Sequence, residues 1–234
     1  MGEARVARED EPVLRAQGLR KVYRSGDQEL EVLRCVDLEV WRGEVVAITG
    51  DSGVGKSTLL HILGTLDRPT TGELEVRSVD VLSLSEQGQA DFRNRHIGFV
   101  FQFHNLLPEF TALENALMPA LIAQEPPADA EAKAVALLER VGLGKRLRHR
   151  PGELSGGECQ RVAVVRALVM QPEIVLADEP SGNLDPGSSR RLHELIVELA
   201  RAEGQTFLVM THDQALARSL DRTGHLEAGQ LFLS

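Results

Sequence analysis

The segment from 50 to 57, GDSGVGKS, combines three glycines with a lysine and a serine at a spacing suited to binding phosphate. The glycines let backbone N–H groups turn towards one oxyanion, and the positive end of a following helix faces the same anion. We expect the Lys56 ammonium to reach the β- and γ-phosphates of a nucleotide and the Ser57 hydroxyl to face Mg²⁺. The segment therefore predicts a site for a nucleoside triphosphate.

The neighbours of this segment support the same interpretation. An apolar run at 45–48 precedes it and a helix-like pattern at 58–63 follows it. The order of strand, glycine-rich loop and helix is the context that a phosphate-binding P-loop requires, and it disfavours the alternative of a flexible glycine turn. The residues predicted to contact the nucleotide here are Gly50, Asp51, Ser52, Gly53, Val54, Gly55, Lys56, Ser57 and Thr58.

An acidic pair, Asp178 and Glu179, follows a second apolar run at 174–177. A buried parallel strand would deliver both side chains to its carboxyl edge, where the P-loop also opens. We expect Asp178 to hold the Mg²⁺ shell and Glu179 to act as the general base that orients the attacking water. The alternative is that these acidic residues merely end a strand at the surface, and the preceding P-loop disfavours it.

A second candidate anion site lies between these two, in the sequence LSGGE at 154–158. A serine followed by two glycines at a helix start presents free N–H groups and the positive end of the helix dipole. Two predicted phosphate-binding sites in one chain, the P-loop and this one, indicate a dimer. The residues of this second cradle are Ser155, Gly156, Gly157 and Glu158.

Hydrophobic periodicity predicts the elements that position these residues. Predicted strands cover 13–23, 29–41, 45–48, 73–77, 97–101, 174–177 and 206–210, followed by a terminal pair of short strands. Predicted helices cover 58–63, part of 83–95, 112–124, 128–141, 162–170 and 188–203. Few strand signals occur between 102 and 173, which indicates a helical insertion in an α/β core.

The predicted fold class is therefore α/β: a P-loop NTPase core with a mostly parallel sheet, an antiparallel β subdomain and an inserted α-helical subdomain. We assign residues 1–12 to a flexible N-terminal tail. Residues 13–101 and 166–234 form the RecA-like core with its antiparallel subdomain, and residues 102–165 form the helical subdomain.

Composition excludes several classes of protein. A formal net charge of −9 disfavours a surface that binds nucleic acid. The two cysteines, Cys35 and Cys159, argue against a disulfide framework and for a reduced cytoplasmic protein with ordinary packed or surface thiols.

The sequence offers no candidate membrane span. The longest apolar stretch, 116–123, falls well short of the roughly 20 residues that cross a bilayer, and residues 1–12 lack a signal-peptide core. We therefore expect any membrane role to depend on a partner chain.

Residues 154–161 resemble the signature motif of ATP-binding cassette (ABC) ATPases, and their position between the P-loop and Asp178 matches that family. The resemblance spans about 13–233 and implies ATP as the nucleotide, with Mg²⁺. Tyr23 resembles the aromatic residue that stacks on adenine, although packing in a strand core is an alternative.

Three further residues are assigned by the same resemblance. Gln102 is similar to the glutamine that touches Mg²⁺ and the attacking water, and His212 resembles the histidine that contacts the γ-phosphate. Asp185 ends the segment SGNLD, which resembles the loop that crosses to a partner cassette.

The resemblance also implies a mechanism that uses a homodimer of cassettes. Two copies pack head to tail, so that ATP held by Lys56, Ser57 and Asp178 of one copy is closed over by the Ser155 segment of the other. Hydrolysis at Glu179 then reopens the dimer, and the helical subdomain transmits the motion.

Within the ABC family, the segments 92–94, 97–99 and 101–119 closely resemble the lipoprotein-releasing ATPases (LolD), in a group that includes MacB-type macrolide exporters and FtsE-like cell-division ATPases. This implies membrane permease subunits similar to LolC and LolE that dock between Gln102 and Pro119. The ATPase would then lie at the cytoplasmic face of the inner membrane without inserting into it. The apolar segment 106–110 suits docking, with internal packing of the helical subdomain as the alternative.

Other functions stay open as alternatives. MacB-type exporters carry membrane spans on the same polypeptide, and this sequence shows none, which leaves a split-subunit exporter or an FtsE-like complex. Glu179 and His212 argue against a non-hydrolysing scaffold. ABC ATPases of DNA repair would need a long heptad-bearing insertion and ribosomal ones a second cassette, and the sequence has neither.

Departures from the group's usual residues are mild. They are Cys159 for glutamine, Ser181 for threonine, and Asp51 and Val54 at variable P-loop positions. Asp51 adds a negative charge beside the phosphates, so we expect it to lower nucleotide affinity.

Overall fold

The computed structural model describes residues 11–26 and 28–233, so most of the predicted tail at 1–12 lies outside the described residues. The strands of the described part are β1 (Leu14–Ser25), β2 (Gln28–Val40), β3 (Val45–Thr49), β4 (Thr71–Val76), β5 (Val79–Asp80), β6 (Ile97–Phe101), β7 (Ile174–Asp178), β8 (Thr206–Met210), β9 (Arg222–Glu227) and β10 (Gln230–Leu233). The helices are α1 (Lys56–Leu63), α2 (Glu86–His96), α3 (Ala112–Ile122), α4 (Pro127–Arg140), α5 (Gly156–Leu168), α6 (Pro186–Glu203) and α7 (Gln214–Ser219), with a 3₁₀ turn at Pro151–Glu153.

The larger sheet is mostly parallel, with strand order β10-β9-β3-β8-β7-β6. β3 pairs in parallel with β9 and β8, and β7 pairs in parallel with β8 and β6. β3 and β8 are buried along their whole length, which matches their apolar, β-branched sequences, because parallel strands are covered on both faces. The carboxyl ends of β3, β7 and β8 consequently meet at one edge, where ligands bind in open α/β sheets.

The smaller sheet is antiparallel, with strand order β2-β1-β4-β5. Its inward side chains, such as Leu14, Leu33 and Leu74, are fully buried and join one apolar cluster with Leu59 of α1 and Ile48 of β3. This cluster fixes α1, and therefore the loop that precedes it, against both sheets.

Two more apolar clusters complete the core of the described residues. One packs α6 against the larger sheet and includes Ile196 of α6 and Phe207 of β8. The other joins α3, α4 and α5 and includes Ala116, Leu138 and Val162. Most of this helical cluster lies in the segment 102–165 that we predict to be a subdomain, but it also includes Val169. The boundaries 102–165 stay a prediction.

Two short elements, β5 and α7, are absent from the sequence predictions. They have two and six residues, too few for a periodic pattern to be read. α7 begins where the Asp213 carboxylate accepts hydrogen bonds from the N–H groups of Ala215 and Leu216. No helix in the described part of the chain has the length and apolar character that a bilayer span requires.

Candidate active site

An open cavity of about 520 Å³ lies at the carboxyl edge of the larger sheet. It gathers residues from the loop after β3, the end of β7 and the end of β8, which are far apart in sequence. The lining residues are Gly50, Asp51, Ser52, Lys56, Gln102, Glu179, His212, Gln214 and His225. All of them except Gln214 and His225 are site residues predicted from the sequence.

Backbone geometry explains two glycines of the P-loop. Gly50 has φ 154°, and a Cβ atom there would lie 2.5 Å from the carbonyl oxygen of Leu226. Gly55 has φ 110°, and its Cβ would lie 2.8 Å from Cγ1 of Val32. Any side chain at these positions would collide with its neighbours, so glycine is required for the loop to curl over the start of α1.

Lys56 is the first residue of α1, and its side chain turns back over the loop. Its Nζ donates hydrogen bonds to the carbonyl oxygens of Gly50, at 2.7 Å, and Asp51, at 3.1 Å. The same Nζ lies 3.7 Å from Oε1 of Glu179, and only 9% of the lysine side chain is exposed. A buried ammonium with a carboxylate on one side and an open cavity on the other is suited to neutralising phosphate oxygens.

Glu179 is held in an unusual backbone conformation. It has φ 45°, and its N–H donates to the carbonyl oxygen of Met210 at 2.9 Å. Its Oε2 accepts a hydrogen bond from the backbone N–H of His212 at 3.2 Å and lies 2.8 Å from Nδ1 of the same residue. The Glu179 carboxylate therefore sits between Lys56 and His212, and its side chain is 15% exposed. A left-handed residue at such a place is a common feature of functional sites.

Asp178 and Ser57 each adjoin a cavity residue in the sequence, Glu179 and Lys56, but they are not among the residues that line the cavity. Asp178 ends β7, in register with Phe101 of β6 and Met210 of β8, and it is half-buried. Ser57 lies in the first turn of α1 and is exposed.

Gln102 follows β6 and contacts the loop after Glu179. Its side-chain amide donates to Oδ1 of Asn183 at 3.3 Å, and the Asn183 amide donates to the Gln102 carbonyl oxygen at 3.2 Å. A Cβ atom on Gly182 would lie 3.0 Å from Nε2 of Gln102. The glutamine is thus fixed against the 181–185 loop while it lines the cavity.

Tyr23 is 42% exposed, so it does not pack in a strand core. Its hydroxyl donates to Oδ2 of Asp67 at 2.8 Å, and Nζ of Lys21 lies 4.7 Å from its ring centroid. Burial raises the pKa of Tyr23, the bond to Asp67 raises it further, and a hydrogen bond with Thr58 lowers it. The ring is therefore anchored beside the first turn of α1 and stays accessible for stacking.

Ser155 begins α5 with a capping box. Its hydroxyl accepts from the N–H of Glu158 at 3.2 Å, and the Glu158 carboxylate accepts from the N–H of Ser155 at 2.8 Å. That second bond, aided by Arg146, lowers the pKa of Glu158 to about 2. Two of the N–H groups expected to be free for an anion are therefore bonded within the helix end, which leaves those of Gly156 and Gly157.

Asp185 begins α6, and the start of α6 lies beside the start of α5. Its carboxylate accepts from the N–H groups of Gly187 and Ser188, both at 3.0 Å. A Cβ on Gly157 would lie 3.0 Å from the Ser188 hydroxyl, so the starts of α5 and α6 touch. Within the described part of the chain, neither Ser155 nor Asp185 lines the cavity that holds Lys56 and Glu179.

Comparison with known proteins decides the family. Residues 33–182 match the family model described as ABC transporter. The chain belongs to the ABC transporter family. It is 52% identical over 220 residues to "Lipoprotein-releasing system ATP-binding protein LolD" of Porphyromonas gingivalis, which covers 94% of this chain and 99% of that relative. It is also 52% identical to the protein of the same name from Shewanella oneidensis, over 94% of this chain and 95% of that relative.

Solved ABC structures confirm the predicted fold class. A dimeric post-hydrolysis state of the ATP-binding cassette MJ0796, bound to ADP and Pi, superposes with a TM-score of 0.85 at 36% identity and covers 93% of this chain and 96% of that chain. The cbiO1 protein of Clostridium perfringens, part of the ABC transporter complex cbiONQ, gives a TM-score of 0.84 at 28% identity and covers 96% of this chain and 88% of that chain. The predicted resemblance to ABC ATPases is confirmed, and the chain is an ATP-binding cassette ATPase.

The cassette offers oxygen donors that suit Mg²⁺. Ser57, Gln102 and Asp178 supply a hydroxyl, an amide and one carboxylate near the phosphate loop, and Mg²⁺ on a nucleotide takes few protein ligands because phosphates and waters complete its shell. Among the described residues there is no cluster of three or more His, Cys, Asp or Glu that would hold a metal by itself. The donor set therefore fits a metal that arrives with ATP.

Two cavity residues of the cassette were missed from the sequence. Gln214 follows His212 by two residues, so the proximity of the two could have suggested it. His225 lies on β9, opposite Thr49 in the parallel register, and its Nδ1 is 3.1 Å from the Thr49 hydroxyl. No local pattern marks His225, because only the pairing of β3 with β9 brings it to the P-loop.

Proposed function

We propose that this chain is the ATP-hydrolysing subunit of a membrane complex that releases lipoproteins from the inner membrane. The observation that carries the hydrolytic part is the position of the Glu179 carboxylate, 3.7 Å from Lys56 and 2.8 Å from His212 in one cavity. The lipoprotein part is supported by relatives of that name, which share half of their residues with this chain over almost their whole length.

In the proposed reaction, Lys56 neutralises the β- and γ-phosphates and Glu179 holds the attacking water. The carboxylate takes a proton from this water as the new oxygen–phosphorus bond forms and the bond to the β-phosphate oxygen breaks, which gives ADP and phosphate. His212 contacts Glu179 through Nδ1, and its Nε2 can donate to the γ-phosphate at the same time only when the ring carries both protons. Ser57, Gln102 and Asp178 are the proposed ligands that would hold Mg²⁺, and a bound metal would supply positive charge against the negative charge that develops on phosphate.

We propose that two copies complete each site. Gly156 and Gly157 keep N–H groups available at the start of α5, yet this surface lies away from the cavity of its own chain. A second copy packed head to tail would bring the Ser155–Glu158 segment and Asp185 over the phosphates. The dimeric state of the MJ0796 cassette supports this arrangement.

We propose that a permease subunit resembling LolC or LolE docks between Gln102 and Pro119. A groove of about 480 Å³, lined mostly by residues of α2, β6, α3 and α5, includes Asn105 and Pro119 of this segment. In the segment 106–110, Leu106 is buried in the helical cluster, whereas Leu107 and Phe110 are exposed. Of the exposed apolar side chains, Leu66 and Ile122 line this groove. Phe103 and Leu121 are also exposed.

This docking surface suits a short helix of a membrane subunit, because exposed apolar side chains around a groove mark interaction sites. It would hold the ATPase at the cytoplasmic face of the inner membrane. The names of the relatives favour lipoprotein release over a MacB-like exporter or an FtsE-like division complex.

Reconstitution tests the proposal. The chain should co-purify with four-span permease subunits of the lipoprotein-releasing type, and ATP should then drive release of a lipoprotein from proteoliposomes to a soluble acceptor. The matched control is Glu179→Gln, which should assemble equally well and release nothing. Assembly with a division-type permease instead, or release that does not depend on ATP, would contradict the proposal.

A further inference from the structure

The side chain of His193, on α6, lies behind the loops that carry Glu179 and His212. It is 15% exposed, and its Nε2 shares a hydrogen bond of 2.7 Å with the hydroxyl of Ser181. Ser181 belongs to the 181–185 loop and follows Glu179 by two residues. This bond ties the middle of a rigid helix to the loop that begins at the hydrolytic carboxylate.

The other ring nitrogen of His193 faces the second loop. Its Nδ1 lies 4.0 Å from Oδ2 of Asp213, the residue after His212. Asp213 is itself fixed, because its Oδ1 caps α7 and its N–H donates to the hydroxyl of Thr211 at 3.0 Å. His193 therefore spans the gap between one anchored residue in each loop.

These contacts form a closed series of residues behind the site. Glu179 is two residues before Ser181, and the Ser181 hydroxyl is hydrogen-bonded to His193. His193 faces Asp213, the residue after His212, and His212 lies 2.8 Å from Glu179. Burial lowers the pKa of His193 and outweighs the opposing effect of Asp213, which favours the neutral ring with one donor and one acceptor nitrogen.

The geometry points to His193 as a positioning residue that sets the separation of Glu179 and His212 from behind. Its side chain is not among those that line the cavity of Lys56 and Glu179. It acts through its hydrogen bond to Ser181 and its 4.0 Å approach to Asp213. The inference rests on the proposed function, since it concerns the same hydrolytic pair. The inference adds that the 181–185 loop, which we propose meets the second copy, and the loop that carries His212 are coupled through the His193 ring.

Turnover of three variants tests this role. His193→Leu removes both ring nitrogens, and Ser181→Ala removes the hydroxyl that one of them meets. Each should lower kcat for ATP by about fivefold, the scale of one lost hydrogen bond, while KM stays within about twofold because the P-loop is untouched. The double variant should be no slower than the slower single variant, because both changes break the same contact.

His193→Gln separates positioning from packing. A glutamine amide can reach Ser181 in place of Nε2, so this variant should recover most of kcat, whereas a leucine of similar bulk should not. Glu194→Gln, an exposed neighbour on α6, is the matched control and should behave as the unmodified protein. ATP binding and thermal unfolding are measured on every variant, and if His193→Leu fails to fold, Ser181→Ala decides.

The outcomes separate this inference from the proposed function. If the unmodified protein hydrolyses ATP and Glu179→Gln does not, but Ser181→Ala keeps full kcat, then the role of His193 is refuted and the hydrolytic assignment stands. Additive losses of kcat in the double variant would also refute the role of His193, as would a His193→Gln variant whose kcat is as low as that of His193→Leu. An unmodified protein without turnover would overturn the proposed function, and the inference with it.

Discussion

At the scale of single residues, the site is an arrangement of charges around a place for phosphate. Lys56 is buried and Glu179 nearly so, and they face each other across 3.7 Å. His212 reaches the same carboxylate from the exposed side. A γ-phosphate offers Lys56 a stronger anionic partner than the carboxylate, which leaves Glu179 to hold water. Charge and position, rather than fold alone, therefore make Glu179 the proposed base.

Replacing Glu179 by glutamine should separate binding from turnover. The amide keeps the size of the side chain and cannot take a proton, so ATP should bind as tightly as to the unmodified protein. Steady-state hydrolysis should fall by at least about a hundredfold, the range of a lost general base. Phosphate release and equilibrium binding of a fluorescent ATP analogue provide the two measurements. Unchanged turnover would refute the assignment of the base.

Asp51→Ser should tighten ATP binding. Asp51 is exposed and lines the cavity, so its carboxylate repels the phosphates through largely solvated space, at a cost of about 1 kcal/mol or less. We expect affinity to rise about threefold at low salt and the gain to shrink as salt screens the charge. Glu131→Gln, an exposed carboxylate on α4, should change nothing. Weaker binding by Asp51→Ser would contradict the electrostatic account.

At the scale of elements, the starts of helices carry most of the proposed chemistry. α1 presents the P-loop, and α5 and α6 present Ser155 and Asp185 on one shared surface. Each of the latter two helices begins with a side chain that caps its own N–H groups, which fixes the direction of the helix end. In α5, the remaining N–H groups of Gly156 and Gly157 are those available to an anion.

The capping box of α5 predicts a pH dependence of stability. Hydrogen bonds from the N–H of Ser155 and from Arg146 lower the pKa of Glu158 from 4.5 to about 2. A carboxyl whose pKa is lower in the folded state stabilises fully above its unfolded pKa, and this contribution is lost as the pH falls through the folded value. Glu158→Gln should thus lower the free energy of unfolding by about 1 kcal/mol at pH 7. The difference should shrink between pH 4.5 and about 2.

Chemical denaturation at several pH values measures this effect. Glu198→Gln, an exposed glutamate on α6, serves as control and should leave the free energy of unfolding unchanged at every pH. The free energies of unfolding of Glu158→Gln and the unmodified protein are then compared. If their difference stays the same down to pH 2, the charge of Glu158 has no part in capping α5.

At the scale of the whole molecule, local patterns predicted the strand before the P-loop, the strand that ends at Asp178 and the helices around Ser155, because each depends on periodicity within one segment. Strand order and register are set by contacts between distant segments, so the sequence did not show that His225 reaches the P-loop or that Tyr23 bonds Asp67. The same limit hid the contact of His193 with Ser181, which joins a helix to a loop through the packing of α6 on the sheet.

The central claim, that two copies complete each ATP site, is tested by the mass of the protein in solution. Glu179→Gln protein in Mg²⁺ should double its mass by light scattering when ATP is added and stay monomeric with ADP. Adding Ser155→Arg in the same background should keep ATP binding in each copy and abolish the doubling, because the arginine occupies the surface that closes over the partner's nucleotide. A Glu179→Gln protein that stays monomeric with ATP, or a Ser155→Arg variant that still doubles its mass, would contradict the composite site.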